Sequence, residues 1–186
     1  KQLTHLAFHD ALTNLPNRAQ LLIEIKAALM QLHQQATVAT GRRFAMLLLD
    51  CDRFKLVNDS LGHASGDKFL IAISEQLRQC TRASDTVARL GGDEFIVLLG
   101  GLKSAVDARP VVENLLERFR DTFKIDERDL IVTVSVGVAV HPDDGDTPTE
   151  LLRNADSAMY HSKGKGRNTY SYFTHAMNRE VSRRFA

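Results

Sequence analysis

A chain of 186 residues, 44% of them hydrophobic, has the size and apolar content of one core-forming domain. Its 24 basic and 23 acidic side chains leave a net charge of +1, which excludes the broad positive field that a nonspecific nucleic-acid binder needs. Cys51 and Cys80 are too few for a disulfide framework and are not spaced as a zinc site, so a reducing, cytoplasmic setting is expected. No apolar run reaches the length of a membrane span, and residues 1–10 lack the apolar core of a signal peptide. A chain that opens on Lys1 is expected to be a segment of a longer protein.

In chain order, Pro16 and Asn17 punctuate the start of a helix whose Leu21, Leu22, Ile25, Ala28 and Leu29 share one face. The polar residues 34–43 read as a loop. Residues 44–49 form an apolar run that stops at Asp50, Cys51 and Asp52, as a buried strand delivering carboxylates at its tip would. Phe69, Leu70, Ile73 and Leu77 carry a helix toward Cys80. Residues 86–90 and 95–99 are strand-like runs around Gly91, Gly92, Asp93 and Glu94, a hairpin signal. Val111, Leu115, Leu116 and Phe119 describe a further amphipathic helix, and residues 130–140 alternate as a half-exposed strand does. A helix over residues 151–162, a turn over 164–166 and a short strand over 170–173 complete the pattern. Helices and strands alternate without an internal repeat. The fold class expected is therefore α/β (α+β), with a mixed, largely antiparallel central sheet flanked by helices.

Asp50, Asp52, Asp93 and Glu94 stand at strand ends or in a tight turn, and they converge if the strand ending at Asp50 pairs beside the hairpin. A few carboxylates completed by substrate phosphates are what magnesium prefers, with manganese an alternative ion. A plainer reading is that Asp50 and Asp52 cap the next helix while Asp93 and Glu94 merely suit a turn. Gly91 and Gly92 weigh toward the first reading, since they let backbone approach a bulky ligand. The Walker-type phosphate loop is missing. The backbone amides of Arg53, Phe54 and Lys55, opening a helix directly after the acidic tip, are the candidate phosphate cradle. Lys163 and Arg167 straddle a Gly-rich turn and can neutralise phosphate charge, or simply complement a helix C-terminus. Asn58 and Asp67 offer an amide and a carboxylate that would select guanine over adenine.

Gly91-Gly92-Asp93-Glu94-Phe95 matches the signature of the GGDEF family. Three further blocks, in order and at compatible spacing, resemble that family: residues 10–18 (DALTNLPNR), 50–67 (DCDRFKLVNDSLGHASGD) and 156–168 (DSAMYHSKGKGRN). The resemblance covers nearly the whole chain. It implies a diguanylate cyclase that condenses two GTP into cyclic di-GMP and two pyrophosphates across a homodimer, on a fold similar to the adenylyl cyclase and polymerase palm. Residue by residue, it implies magnesium at Asp50, Asp93, Glu94 and the Cys51 backbone carbonyl, with Asp93, Glu94 and Lys55 as catalytic groups. It further implies phosphate contacts from Arg53, Phe54, Lys55, Gly91, Gly92, Lys163 and Arg167, and guanine contacts from Asn58 and Asp67. Arg82 and Asp85 form an R-x-x-D pair where the family often places a product-binding inhibitory site; an ordinary surface ion pair is the plainer alternative. His9, His63 and His161 read as packing or polar-contact residues. Cys51, at a commonly aliphatic position, and His161 with Ser162 are mild departures from the pattern.

Residues 1–174 are expected to form the cyclase domain, and residues 175–186, with Arg179, Arg183 and Arg184, a linker or helix start leading toward a phosphodiesterase domain. A neighbouring sensor, and for the intact protein a membrane anchor, fit this arrangement. The rival reading is a catalytically silent module that binds GTP or cyclic di-GMP to regulate an adjacent domain. An RNA-binding domain of similar topology is disfavoured, because base-stacking aromatic strands are missing.

Overall fold

The computed structural model describes residues 2–35 and 42–179. Its helices are α1 (Gln2–Phe8), α2 (Arg18–Gln35), α3 (Phe54–Leu61), α4 (His63–Gln79), α5 (Arg109–Arg118) and α6 (Pro148–Gly164). Its strands are β1 (Arg43–Cys51), β2 (Thr86–Gly91), β3 (Glu94–Leu102), β4 (Phe123–Ile125), β5 (Arg128–Leu130), β6 (Val134–His141) and β7 (Tyr170–Tyr172). Five strands make one sheet in the order β2-β3-β1-β6-β7, and β4 pairs with β5 in a separate hairpin. Only β6 and β7 run parallel in the main sheet, so the architecture is mixed and largely antiparallel as the sequence pattern predicts.

The central strand β1 is buried on both faces, and its side chains alternate between two cores. Ala45, Leu47, Leu49 and Cys51 pack with Phe69 and Ile73 of α4 and Val112 and Leu115 of α5. Phe44, Met46 and Leu48 face the other way, onto Leu21 and Ile25 of α2 and Leu151, Ala155 and Met159 of α6. Counting on by two from Leu48 reaches Asp50, so the face covered by α2 and α6 ends in a carboxylate. The same period in β3 gives Ile96 and Leu98 to that face and puts Glu94 at its rim.

Two expectations need amendment. The helix after Pro16 runs on to Gln35, which trims the loop, and residues 36–41 lie outside the described residues. Residues 130–140 are not one half-exposed strand. Leu130 ends β5, and every residue of β6 is buried. The small residues Ser135, Gly137 and Ala139 mimic a solvent face, but they are small because α6 lies directly over them. A Cβ built on Gly137 would come within 2.1 Å of the Ala155 carbonyl oxygen and 2.2 Å of the Met159 amide. At the far end, residues 175–179 are helical and fold back on α6: Met177 packs with Ala158 and Phe173, and Ser157 Oγ donates to Asn178 Oδ1 at 2.9 Å. The expected segment 180–186, with Arg183 and Arg184, lies outside the described residues.

Because Gly137 meets backbone rather than a flexible side chain, Gly137→Ala must push α6 off the sheet. Overpacking of this kind costs about 1–3 kcal/mol, to be read as a lower urea midpoint; an unchanged midpoint would show that α6 is not seated on this glycine.

Candidate active site

The pairing of β1 with β3 sets Asp50 directly opposite Glu94, and the Cys51 amide donates to the Asp93 carbonyl at 3.4 Å. The chain reverses through Gly91 (φ 142°) and Gly92 (φ 51°), which brings Asp93 back beside the tip of β1. Asp50 is buried, and one of its oxygens, Oδ2, accepts from the Lys163 ammonium while the other, Oδ1, has no donor. Burial first, then hydrogen bonding and charge from Asp50, push the Asp93 carboxyl up to about 7. Glu94 is raised as well, by burial and then by the charges of Asp50 and Asp156. Two carboxyl groups held this close must share either a proton or a cation. The donorless Oδ1 and the crowded acids fit a divalent ion shared by Asp50 and Asp93, with Glu94 beside them. Among the described residues, no three His, Cys, Asp or Glu side chains close into a metal cage by themselves. That accords with an ion such as magnesium, which takes one or two protein carboxylates and completes its shell with phosphate and water.

Asp52 does not join these acids, contrary to the sequence expectation. Its oxygens accept from Thr133 Oγ1 (2.6 Å), Ser135 Oγ (2.6 Å) and the Asn168 amide (3.0 Å). Every bond goes to the start of β6 or to the turn after α6, so Asp52 clamps three segments together and has no oxygen to spare. The helix-cap alternative also fails: Arg53, at φ 59°, occupies the N-cap of α3, and no side chain caps the first turn.

Phe54 anchors that turn by stacking on Phe69 at 6.1 Å, while Lys55 beside it is exposed. Arg53 and Arg167 meet across a cleft of about 340 Å³ with Asp52, Thr133 and Gly166 in its wall. Lys163 instead lies on the acid side. Asn58 is held against the start of α4, for a Cβ on Gly66 would fall 1.8 Å from Asn58 Oδ1, and Asp67, next to Gly66 in the chain, is exposed. The start of α4 is held in turn by Asp126, which accepts from Ser65 Oγ at 2.8 Å and from Lys68.

One residue was missed by sequence reasoning. Arg89 Nη1 donates to both oxygens of Asp10 (2.9 and 3.0 Å), while its Nε and Nη2 donate to the Gly92 carbonyl at 3.0 and 2.8 Å. The signature turn is thereby tied to residues 10–16. The signal lay in the sequence: an arginine two positions before the paired glycines, and an aspartate opening the DALTNLPNR block.

The sequence profile described as "Diguanylate cyclase, GGDEF domain" matches residues 7–169. The chain belongs to the GGDEF family. It is 44% identical over 178 residues to the bifunctional diguanylate cyclase/cyclic di-GMP phosphodiesterase MucR of Pseudomonas aeruginosa, covering 96% of this chain but 25% of that protein. The solved GGDEF domain of TpbB from Pseudomonas aeruginosa matches with a TM-score of 0.88 and 38% identity, covering 94% of this chain and 99% of that one. The coiled coil and GGDEF domain of DgcB from Caulobacter crescentus, solved with cyclic di-GMP, matches with a TM-score of 0.80 and 27% identity, covering 92% and 88%.

Within this GGDEF domain the R-x-x-D pair is not a plain surface ion pair. The Asp85 side chain is only 3% exposed and accepts from the Arg82 amide at 3.0 Å, closing a turn. The Arg82 guanidinium, 66% exposed, bonds Asp85 and the Gly100 carbonyl and borders a cleft of about 610 Å³ shared with Arg78, Thr81 and Glu24. Cys51 behaves as the aliphatic residue it replaces: its thiol is buried, and burial followed by the neighbouring aspartates pushes its pKa up. Ser162 is equally absorbed, donating to the Val136 carbonyl at 2.7 Å. His9 stacks on His5 at 4.0 Å, a packing role.

Because the folded Asp93 carboxyl lies above the ordinary aspartate value, the fold holds this proton more tightly than the unfolded chain does. Stability contributed by Asp93 is complete in acid and is lost as pH rises from 3.8 through about 7. In metal-free buffer at pH 8, Asp93→Asn is expected to stabilise by about 1 kcal/mol or more, roughly 2–4 °C in Tm for a domain of this size. At pH 4.5 the gain should be much smaller; calorimetry showing equal shifts at both pH values would locate the repulsion elsewhere.

Proposed function

We propose that this domain is a diguanylate cyclase, joining two GTP into cyclic di-GMP with release of two pyrophosphates. The observation that carries the reading is the β1–β3 register, which sets Asp50 beside Asp93 and Glu94, while Asp52, two residues on, stands in the wall of the cleft that holds Arg53 and Arg167. Asp50, Asp93, Glu94 and the Cys51 carbonyl would hold magnesium, or manganese in its place. When bound, such an ion stabilises negative charge on attacking and leaving phosphate oxygens.

The protein's own groups supply the rest. The first-turn amides of α3 at Phe54 and Lys55, with Arg53, Lys163 and Arg167, bind the triphosphate, and Gly91 and Gly92 keep the turn open to it. Asn58 and Asp67 read the guanine edge. Glu94 helps take the proton as the ribose hydroxyl of one GTP forms its bond to the α-phosphorus of the other and the bond to pyrophosphate breaks. One domain holds one GTP, so two copies must face each other, and the active species is a homodimer. Arg82 and Asp85 form the product-binding inhibitory site, where an arginine fork suits phosphate and guanine alike.

The chain spans about a quarter of MucR, whose name couples cyclase with phosphodiesterase. By that likeness the domain is part of a longer protein, with residues 175–186 leading to a phosphodiesterase domain; a neighbouring sensor and a cytoplasmic setting complete the reading. Among the described residues no helix is long and apolar enough to cross a membrane.

Incubating the chain with GTP and magnesium and separating the products by chromatography tests the reading. Cyclic di-GMP formed at a rate that rises more than linearly with protein concentration supports the facing dimer; nucleotide binding without product would make the domain a silent sensor module. Asp93→Ala or Glu94→Ala should lower turnover by at least about a hundredfold, as loss of a transition-state charge stabiliser does, with an unchanged circular dichroism spectrum. In full progress curves, Arg82→Ala should keep the initial rate and abolish the slowing caused by accumulated product; persistent slowing would remove the inhibitory role.

A further inference from the structure

Lys163 is anchored where it can do more than meet phosphate. Gly137 lets α6 settle against β6, and β6 lies next to β1, so the end of α6 is fixed beside the tip of β1. From there the ammonium reaches down to Asp50 Oδ2. Partial burial works against its charge, but the hydrogen bond and charge of Asp50, with Asp93 and Asp52 behind, hold its pKa above the ordinary lysine value. Glu94 and Asp156 add negative charge to the same pocket, and Arg18 is the further cation facing Glu94. The ammonium therefore sits in the carboxylate cluster that would take the metal, using one oxygen of the carboxylate at its centre.

We propose that Lys163 is a built-in competitor of the divalent ion: its ammonium holds Asp50 until nucleotide phosphates draw it away, so the ion is bound with the nucleotide and only weakly before it. The inference rests on the cyclase reading of this site. Three observations support it. The Lys163 side chain is 30% exposed and that of Asp50 is 12% exposed, so an arriving triphosphate meets the ammonium before the carboxylate. Asp50 Oδ1 is buried with no donor, so the lysine satisfies only one of the two oxygens of the carboxylate. A lysine head is a point charge on four rotatable methylenes, and it can turn from carboxylate to phosphate without moving the helix.

The test is a manganese titration of the full chain followed by electron paramagnetic resonance, with and without a non-reacting α,β-methylene analogue of GTP. Without nucleotide, Lys163→Met should bind manganese about tenfold more tightly than the unsubstituted chain, a coupling of the size common between linked sites. Lys165→Met, which removes an exposed cation two residues away, should change affinity by less than about twofold. With the analogue present, the advantage of Lys163→Met should vanish or reverse, because the ammonium would then be on phosphate. Equal manganese affinity in Lys163→Met and the unsubstituted chain without nucleotide would overturn the proposal, and so would an equal gain from Lys165→Met. A chain that makes no cyclic di-GMP from GTP defeats the cyclase reading instead, and the nucleotide-free titration still decides whether Lys163 competes.

Discussion

Everything at the site depends on one antiparallel register. A one-residue slip between β1 and β3 would turn Asp50 to the face packed by α4 and α5 and bury it against Phe69, Ile73 and Val112. That slip is forbidden by the apolar alternation on both strands, because each face of β1 is matched to a different pair of helices. The hydrophobic core thus does more than stabilise the domain. It fixes which side of the sheet the acids emerge on and where they stand relative to each other.

Much of this was legible in the sequence. The apolar run that stops at Asp50 and the strand–Gly-Gly–strand pattern gave both halves of the site, and the order of the blocks identified the family. Less was legible where two residues far apart in the chain cooperate. Asp52 looks like a fellow ligand of Asp50, since spacing alone cannot distinguish an acid aimed at a cleft from one consumed by Thr133, Ser135 and a backbone amide. The small residues of β6 looked solvent-facing because sequence does not tell whether a glycine is empty space or a seat for a helix. Short elements such as β4 and β5 carry too few residues for a periodic signal.

The polar framework divides into fixed and movable parts. Asp52 makes short bonds in a buried setting and ties β1, β6 and the turn after α6 into one rigid corner. Asp126 holds the start of α4, and the Asn58–Gly66 contact holds α3 against it. Lys163 and Arg167 leave that scaffold on long side chains. A rigid backbone carrying cations on long side chains is suited to the proposed triphosphate substrate, which would enter highly charged and leave as two differently charged products.

Arg89 gives the domain a mechanical property that its chemistry does not require. Because one guanidinium grips both Asp10 and the carbonyl of Gly92, the two ends of that grip cannot drift independently. A shift of the segment after α1 must either break several bonds at once or drag the glycine turn along with it. The seat of the glycine turn is then fixed partly from outside the sheet, by the segment that follows α1.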